Sequence, residues 1–383
     1  MTVSTPSNPL GQILFVTHKE KHCGVHEYGI SVAEALKKST KYLFTYAECS
    51  NANELSAAVK DLTPKAIIYN YYPSTLPWLK KELMRKFEIP SLGIMHEVTQ
   101  RAADSADTSL FDYHIAPDPT LVLNNPIVFK TGRLIPQYSH EFSLPKITTI
   151  GSFGFASAGK GFERLIIAVQ EEFDEAIIRL HVPSGDFMDS NVKDVVKRCK
   201  DLIIKPGIKL VATHEFLKRP QLLDFLAQNT LNAFFYDKLE GRGISSTIEI
   251  ALAARRPIAV TRSTMFRHIL SNNSLPTDPP ICIERTGKPG MSLMEGIDLR
   301  LRRRAYLRHT KNKFPAEWLL KPTVSLKQII DNGIAPLERF HQQWNERNFI
   351  LDYDRILDRV FVNRNHDLQI PHQQPSALRL SSH

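Results

Sequence analysis

"EGRGISSTIEIALAARRPIAVTR", residues 240–262, is the stretch on which the fold turns. Gly241 and Gly243 precede a helical pattern in which Ile244, Ile248, Ala251 and Leu252 recur at i, i+4, i+7 and i+8 and mark a buried face. Ser245, Ser246 and Glu249 fall three to four residues apart, together on a neighbouring face. The run "PIAVT" that follows is short, apolar and rich in β-propensity, as a strand buried on both faces is. A helix feeding such a strand is half of a βαβ unit.

The same alternation runs along the chain in both directions. "QILFVTH" leads to "YGISVAEALKK", "KYLFTYAE" to "NELSAAVKDL", and "KAIIYNYY" to "TLPWLKKELMRKF", followed by "PSLGIMHE", "YHIAP" and "NPIVFKTG". A break, "RLIPQYSHEFSLPK" (133–146), carries two prolines and no periodicity. Beyond it "ITTIGSFGF", "EAIIRLHVP", "IKLVATHEF" and "LNAFFYDK" each precede a helical pattern. Strands without clean alternation, separated by helices, imply parallel sheets with right-handed crossovers.

The expected organisation is α/β with two Rossmann-like, doubly wound domains facing across a cleft. Residues 1–135 form the first domain, 136–146 a linker and 147–335 the second. A helix at 336–362 crosses back to the first domain, and a polar, aperiodic tail at 363–383 is disordered. At 383 residues the chain exceeds what one core usually serves.

Composition narrows the class. No apolar run approaches the roughly 20 residues of a membrane helix, and "MTVSTPSNPLGQ" has neither the basic nor the apolar region of a secretory signal. Cys23, Cys49, Cys199 and Cys282 are scattered, so reduced thiols and a cytoplasmic setting are expected. The net charge of +9 is mostly dispersed. Its one concentrated run, "LRLRRRAYLRHTKNK" (299–313), suits either a solvated helix face or peripheral contact of residues 300–313 with an anionic membrane at its inner face.

Ligands of doubly wound sheets lie beyond the carboxyl ends of the strands, so strand-to-helix loops hold the candidates. In "GSFGFASAGKGFERLI" (151–166) a glycine-rich turn that includes Gly154 opens a helix at Lys160, an anion-binding arrangement. It is not a Walker A loop, because Gly161 stands where that motif needs a hydroxyl residue. At 240–249, first-turn amides and Arg242 suit a diphosphate, with Glu249 accepting from sugar hydroxyls. His18, His22, Cys23 and His26 in "VTHKEKHCGVHEYG" have zinc-compatible chemistry but sit on a loop, and no metal is expected there. His96 follows the fourth strand at the cleft end, suited to orienting a substrate or to acid–base work.

These motifs, in this order, resemble the GT-B-fold glycosyltransferases, particularly the retaining, nucleotide-sugar-dependent group with an E-x7-E motif. "CGVHEYGISVAEAL" resembles the first loop and helix, and "IGSFGFASAGKGFERLI" the strand, phosphate lysine and helix that open the donor domain. "HEFLKRPQLLDFLAQNTLNAFFYDKLEGRGISSTIEIALAARRPIAVT" resembles the donor-site core, and the terminal helix the one that crosses back. The resemblance implies that His96, Lys160, Arg242 and Glu240 carry catalysis. It implies donor contacts at Gly24, Gly154, Lys160, Gly243, Ile244, Ser245, Ser246 and Glu249, base contacts at His214 and neighbouring Glu215, and acceptor contacts at His26 and Glu27.

No cofactor and no metal are implied; the nucleotide sugar is a substrate, and the acceptor is a glycan, a lipid-linked acceptor or a small molecule. Two departures stand out: eight residues separate Glu240 from Glu249, and Phe155 replaces an arginine that usually precedes the lysine. They keep open a GT-B relative that serves as a binding or scaffold subunit. A sugar transferase acting on nucleic acid ranks last, because no basic-aromatic groove pattern is present.

Overall fold

The computed structural model describes residues 9–185, 192–238, 241–270, 282–283 and 324–367. Two six-stranded parallel sheets organise them. The first runs β2-β1-β3-β4-β5-β6, with β1 Gln12–Thr17, β2 Leu43–Glu48, β3 Ala66–Tyr69, β4 Ser91–Ile94, β5 Tyr113–Ala116 and β6 Val128–Lys130. The second runs β12-β11-β10-β7-β8-β9, with β7 Thr149–Phe153, β8 Ala176–His181, β9 Ile208–Thr213, β10 Leu231–Phe234, β11 Ile258–Thr261 and β12 Cys282–Ile283.

Two-sided burial explains the apolar strands. In β1, Ile13 and Phe15 pack into one layer while Leu14 and Val16 pack into the opposite one. Helices α1 Gly24–Leu36 and α2 Ala52–Leu62 supply those layers in the first domain, joined by the short α3 Lys81–Arg85 and α4 Gln100–Asp104. The second domain has α5 Phe162–Glu172, α6 Val192–Asp201, α7 Arg219–Ala227, α8 Thr247–Ala253 and α9 Arg267–Leu270, then α10 Leu326–Asn332 and α11 Glu338–Gln343.

The last helix, α12 Glu346–Asp367, returns to the first sheet. Phe349, Tyr353, Ile356, Leu357 and Val360 enter the same cluster as Ile13, Phe15 and Val32. Lys38 pairs with Glu346 (2.7 Å), and the Tyr42 hydroxyl donates to Asp358 (2.7 Å).

Three sequence expectations need correction. The helix expected over 75–87 is only Lys81–Arg85, because Pro77 disfavours helical backbone at Leu76 and Thr75 and Leu76 instead close turns onto Tyr72. The helix expected from Ile244 starts at Thr247; the Ser245 amide donates to Met265 (2.9 Å), outside any helical ladder. Residues expected to begin the tail at 363 continue α12 to Asp367. Residues 368–383, the basic run at 299–313 and Glu240 lie outside the described residues.

Each sheet has one point where the chain reverses its direction of winding: between β1 and β3 in the first, and between β7 and β10 in the second. That is where open α/β sheets bind ligands. Leu357 ties α12 to this frame with no exposed surface. Leu357→Ala should cost about 2–5 kcal/mol in equilibrium denaturation, the usual range for emptying a buried leucine site.

Candidate active site

Loops from both switch points converge on one cavity of about 520 Å³, within the roughly 300–1,000 Å³ typical of small-molecule sites. Cys23, Gly24 and Tyr72 reach it from β1 and β3; Gly154, Lys160 and Tyr236 reach it from β7 and β10.

At the floor lies an ion pair between the domains. Arg133, just after β6, donates through Nε to Glu249 Oε1 (2.8 Å) and through Nη2 to Glu249 Oε2 (3.0 Å). The same guanidinium donates to the Pro117 carbonyl (2.6 Å) and to Ser246 Oγ (3.0 Å). Both side chains are almost fully buried, and His268 Nε2 lies 3.2 Å from Glu249 Oε1. Burial alone would raise the Glu249 pKa, but Arg133 and His268 outweigh it and hold the carboxyl at about 2. Glu249 was expected to accept from sugar hydroxyls; its oxygens are instead occupied by Arg133.

Lys160 stands at the start of α5, where Gly161 takes the left-handed conformation (φ 65°). A Cβ on Gly161 would lie 1.9 Å from the Phe235 carbonyl, so no hydroxyl residue fits there. Lys160 Nζ donates to the Tyr236 hydroxyl (2.8 Å) and sits 4.0 Å from its ring centroid. Tyr236 Oη in turn lies 3.1 Å from Thr247 Oγ1, to which Ser245 Oγ donates (2.9 Å). The ammonium therefore faces the cavity on a rack of neutral hydroxyls, with Phe155 also lining the wall.

On the opposite wall, His96 Nε2 contacts Asn70 Oδ1 (2.7 Å). Asn70 Nδ2 donates to Thr17 Oγ1 (2.8 Å) and the Val25 carbonyl (2.7 Å), so its oxygen must accept. His96 Nε2 then carries the proton and Nδ1 is left as an acceptor. Burial, reinforced by Arg133, lowers the His96 pKa to about 3. The ring is neutral at physiological pH, which removes the general-acid role.

The remaining candidates separate. Gly24 lines the cavity and begins α1, and Glu27 lines it while accepting from Arg219 (3.3 Å). His26 is buried, 3.1 Å from Glu48, and is not among the lining residues, so it cannot serve the acceptor side. His214 and Glu215 are exposed outside the cavity; Phe216, Leu217 and Arg219 enter it from that loop instead. Gly243 was expected to approach the donor, but a Cβ there would meet Glu97 Cα and the His96 carbonyl at 2.7 Å. It packs on the first domain. Ile244 is half-buried and not in the lining, whereas Ser245 and Ser246 line the cavity. Arg242 lines it too, paired with Glu97 (3.0 Å).

The four-residue cluster of the first loop spreads apart. His18 packs edge-on against His26 (5.6 Å between ring centroids), while His22 lies on Phe216 (4.6 Å). Among the described residues no group of three or more such side chains could hold a metal ion.

Sequence reasoning missed Arg133, Asn70, Tyr236 and the Arg267–Asp118 pair. Arg267 donates to the buried Asp118 carboxylate and to the Val98 carbonyl (3.0 Å), sewing α9 to the first domain. Tyr236 lies within the stretch that resembles the donor-site core without standing out in it, and of the others only the polar Asn70 at the end of an apolar strand offered a signal.

Two facing Rossmann-like domains, a cavity at their paired switch points and a final helix returning to the first domain are the GT-B arrangement. The solved structures similar to this chain share it. HepE from Anabaena, in complex with UDP-glucose, is 13% identical with a TM-score of 0.58, over 91% of this chain and 99% of that one. Sucrose-phosphate synthase from Thermosynechococcus elongatus is 11% identical with a TM-score of 0.57, over 92% and 99%. A glycosyltransferase from Rickettsia africae is 12% identical with a TM-score of 0.54, over 92% and 99%. At such identities the likeness establishes the fold. No protein-family model and no curated protein matches the sequence.

The Glu249 carboxyl makes a pH prediction. A pKa held at about 2 against an ordinary 4.5 contributes stability that is complete above pH 4.5 and lost as pH falls toward 2. A shift of that size corresponds to about 3 kcal/mol. Glu249→Gln should therefore destabilise at pH 7 by roughly 3–5 kcal/mol, because Arg133 stays buried without a counter-charge. Thermal melts from pH 7 to pH 3 should also show a flatter acid limb for the variant; an unchanged melting temperature at pH 7 would contradict the assignment.

Proposed function

We propose that the protein is a glycosyltransferase that moves a sugar from a nucleotide donor to an acceptor hydroxyl, with retention of anomeric configuration and without a bound metal. The observation that carries this reading is a cavity shared by the two switch points, cationic on the second-domain wall and carrying a neutral histidine on the first. The donor diphosphate would lie against Lys160, the hydroxyls of Ser245, Ser246 and Thr247, and Arg242. As the bond to the sugar breaks, negative charge grows on the diphosphate, and preorganised cations and donors stabilise it. His96 Nδ1 would accept from a sugar hydroxyl and orient the ring. The leaving phosphate oxygen would take the acceptor proton, so no strong protein base is needed.

A glycan, a lipid-linked acceptor or a small molecule would enter past Glu27 and Tyr72. A binding subunit without turnover is the second reading, favoured by Phe155 in the cavity wall. Among the described residues no helix is long and apolar enough to cross a membrane. Membrane contact through 300–313 would be read from binding to anionic vesicles.

A thermal-shift series with millimolar UDP, GDP and UDP-glucose is the first test. Ligand at 100 times its Kd adds about 2.7 kcal/mol, a rise of several degrees. If none of these raises the melting temperature, the donor site is lost as a reading. Where turnover is detected, Lys160→Ala should lower kcat about 10²–10³-fold, the scale of removing one preorganised donor. Product NMR reads the anomer, and an inverted product refutes retention. Donor binding with neither transfer nor donor hydrolysis would favour the binding subunit.

A further inference from the structure

Among the described residues, each of the two second-domain arginines that line the cavity is paired with a first-domain carboxylate. Arg219 meets Glu27 and Glu34 (both 3.3 Å), and Arg242 Nη2 meets Glu97 Oε1 (3.0 Å). Lys160 differs, because its hydrogen-bond partner is the neutral Tyr236 hydroxyl.

The Arg242–Glu97 pair is held from several sides. Glu97 Oε2 accepts from the Tyr72 hydroxyl (3.2 Å), which orients the carboxylate toward the cleft. Gly243 fits against the His96–Glu97 backbone, where a Cβ would come within 2.7 Å. Arg267 donates to the carbonyls of Arg242 (3.2 Å) and Val98 (3.0 Å), clamping the residues that flank the pair. The two backbones are thus fixed beside each other, while the Arg242 and Glu97 side chains remain substantially exposed and able to exchange partners.

Building on the nucleotide-sugar reading above, we infer that Glu97 is a positioning residue that competes with the donor diphosphate for Arg242. With the backbones clamped, the guanidinium turns from the carboxylate to the diphosphate without domain movement. Its fork can donate bidentately to either partner. The exchange lowers donor affinity by the weight of an exposed ion pair, and it releases a carboxylate beside His96 at the moment the donor is seated. A hydroxyl-bearing acceptor can then donate to it.

The test is isothermal titration of UDP and of uridine into wild type, Glu97→Gln, Arg242→Ala and the double variant. Glu97→Gln should tighten UDP about two- to fivefold, the range an exposed pair sustains. It should leave uridine unchanged, since uridine has no phosphate to compete. Arg242→Ala should weaken UDP, and in that background Glu97→Gln should have no effect. A merely structural role for Glu97 predicts weaker binding, not tighter. If wild type binds UDP and Glu97→Gln leaves it unchanged or weaker, the competition is refuted and the donor site stands. If wild type binds neither UDP nor UDP-glucose, the donor site falls and the inference with it.

Discussion

The arrangement depends on one guanidinium. Arg133 leaves the end of the first sheet and crosses to the second domain, where Glu249 and Ser246 accept three hydrogen bonds from it, while the Pro117 carbonyl of its own domain accepts a fourth. Two charges buried together recover their desolvation only with such geometry. Lysine could not replace it, because a point charge cannot serve both carboxylate oxygens and two further acceptors in one plane. Through Glu249 the pair fixes α8, and through Ser246 it fixes the loop that precedes it. That loop carries Arg242 and Gly243 onto the first domain, and its Ser245 hydroxyl donates to Thr247 at the start of α8, which meets the Tyr236 hydroxyl that holds Lys160. Both walls of the cavity trace back to the same contact.

The chemistry of those walls is set by what is neutral as much as by what is charged. His96 is kept uncharged by burial and by Arg133, and Asn70 selects its tautomer. Lys160 donates to the Tyr236 hydroxyl, and among the described residues no carboxylate pairs with it. The cavity-lining Arg219 and Arg242 of the second domain are shared with carboxylates across the cleft. A site built this way favours an anionic group beside Lys160 and offers hydrogen-bond acceptance on the opposite wall.

Strands and their parallel pairing were legible because two-sided burial leaves long apolar runs, as in "AIIY" of β3. The placement of Gly154 and Lys160 at the cavity was legible because they stand in a glycine turn between a strand and a helix. Helix limits were not. The start of α8 is decided by a contact with Met265 and by the neighbouring domain, neither of which appears in local periodicity. The role of Glu249 was misread for the same reason. A glutamate on a cavity-lining helix looks free to bind sugar until Arg133, more than a hundred positions earlier, is seen to hold it. His26 and His214 were assigned by position alone, and side-chain direction put one in the core and the other in solvent.

The central claim is that the Arg133–Glu249 pair holds the two domains in their facing arrangement. Lys60 on α2 and Lys197 on α6 are exposed, one in each domain. Replaced by spin-labelled cysteines, they allow the interdomain distance distribution to be measured directly by pulsed electron paramagnetic resonance. A single narrow distribution is expected with Arg133 present, and a broad one, extending to longer distances, in the Arg133→Ala variant. Equally narrow distributions at the same distance in both proteins would contradict the account and assign the domain arrangement to the Arg267 and α12 contacts instead.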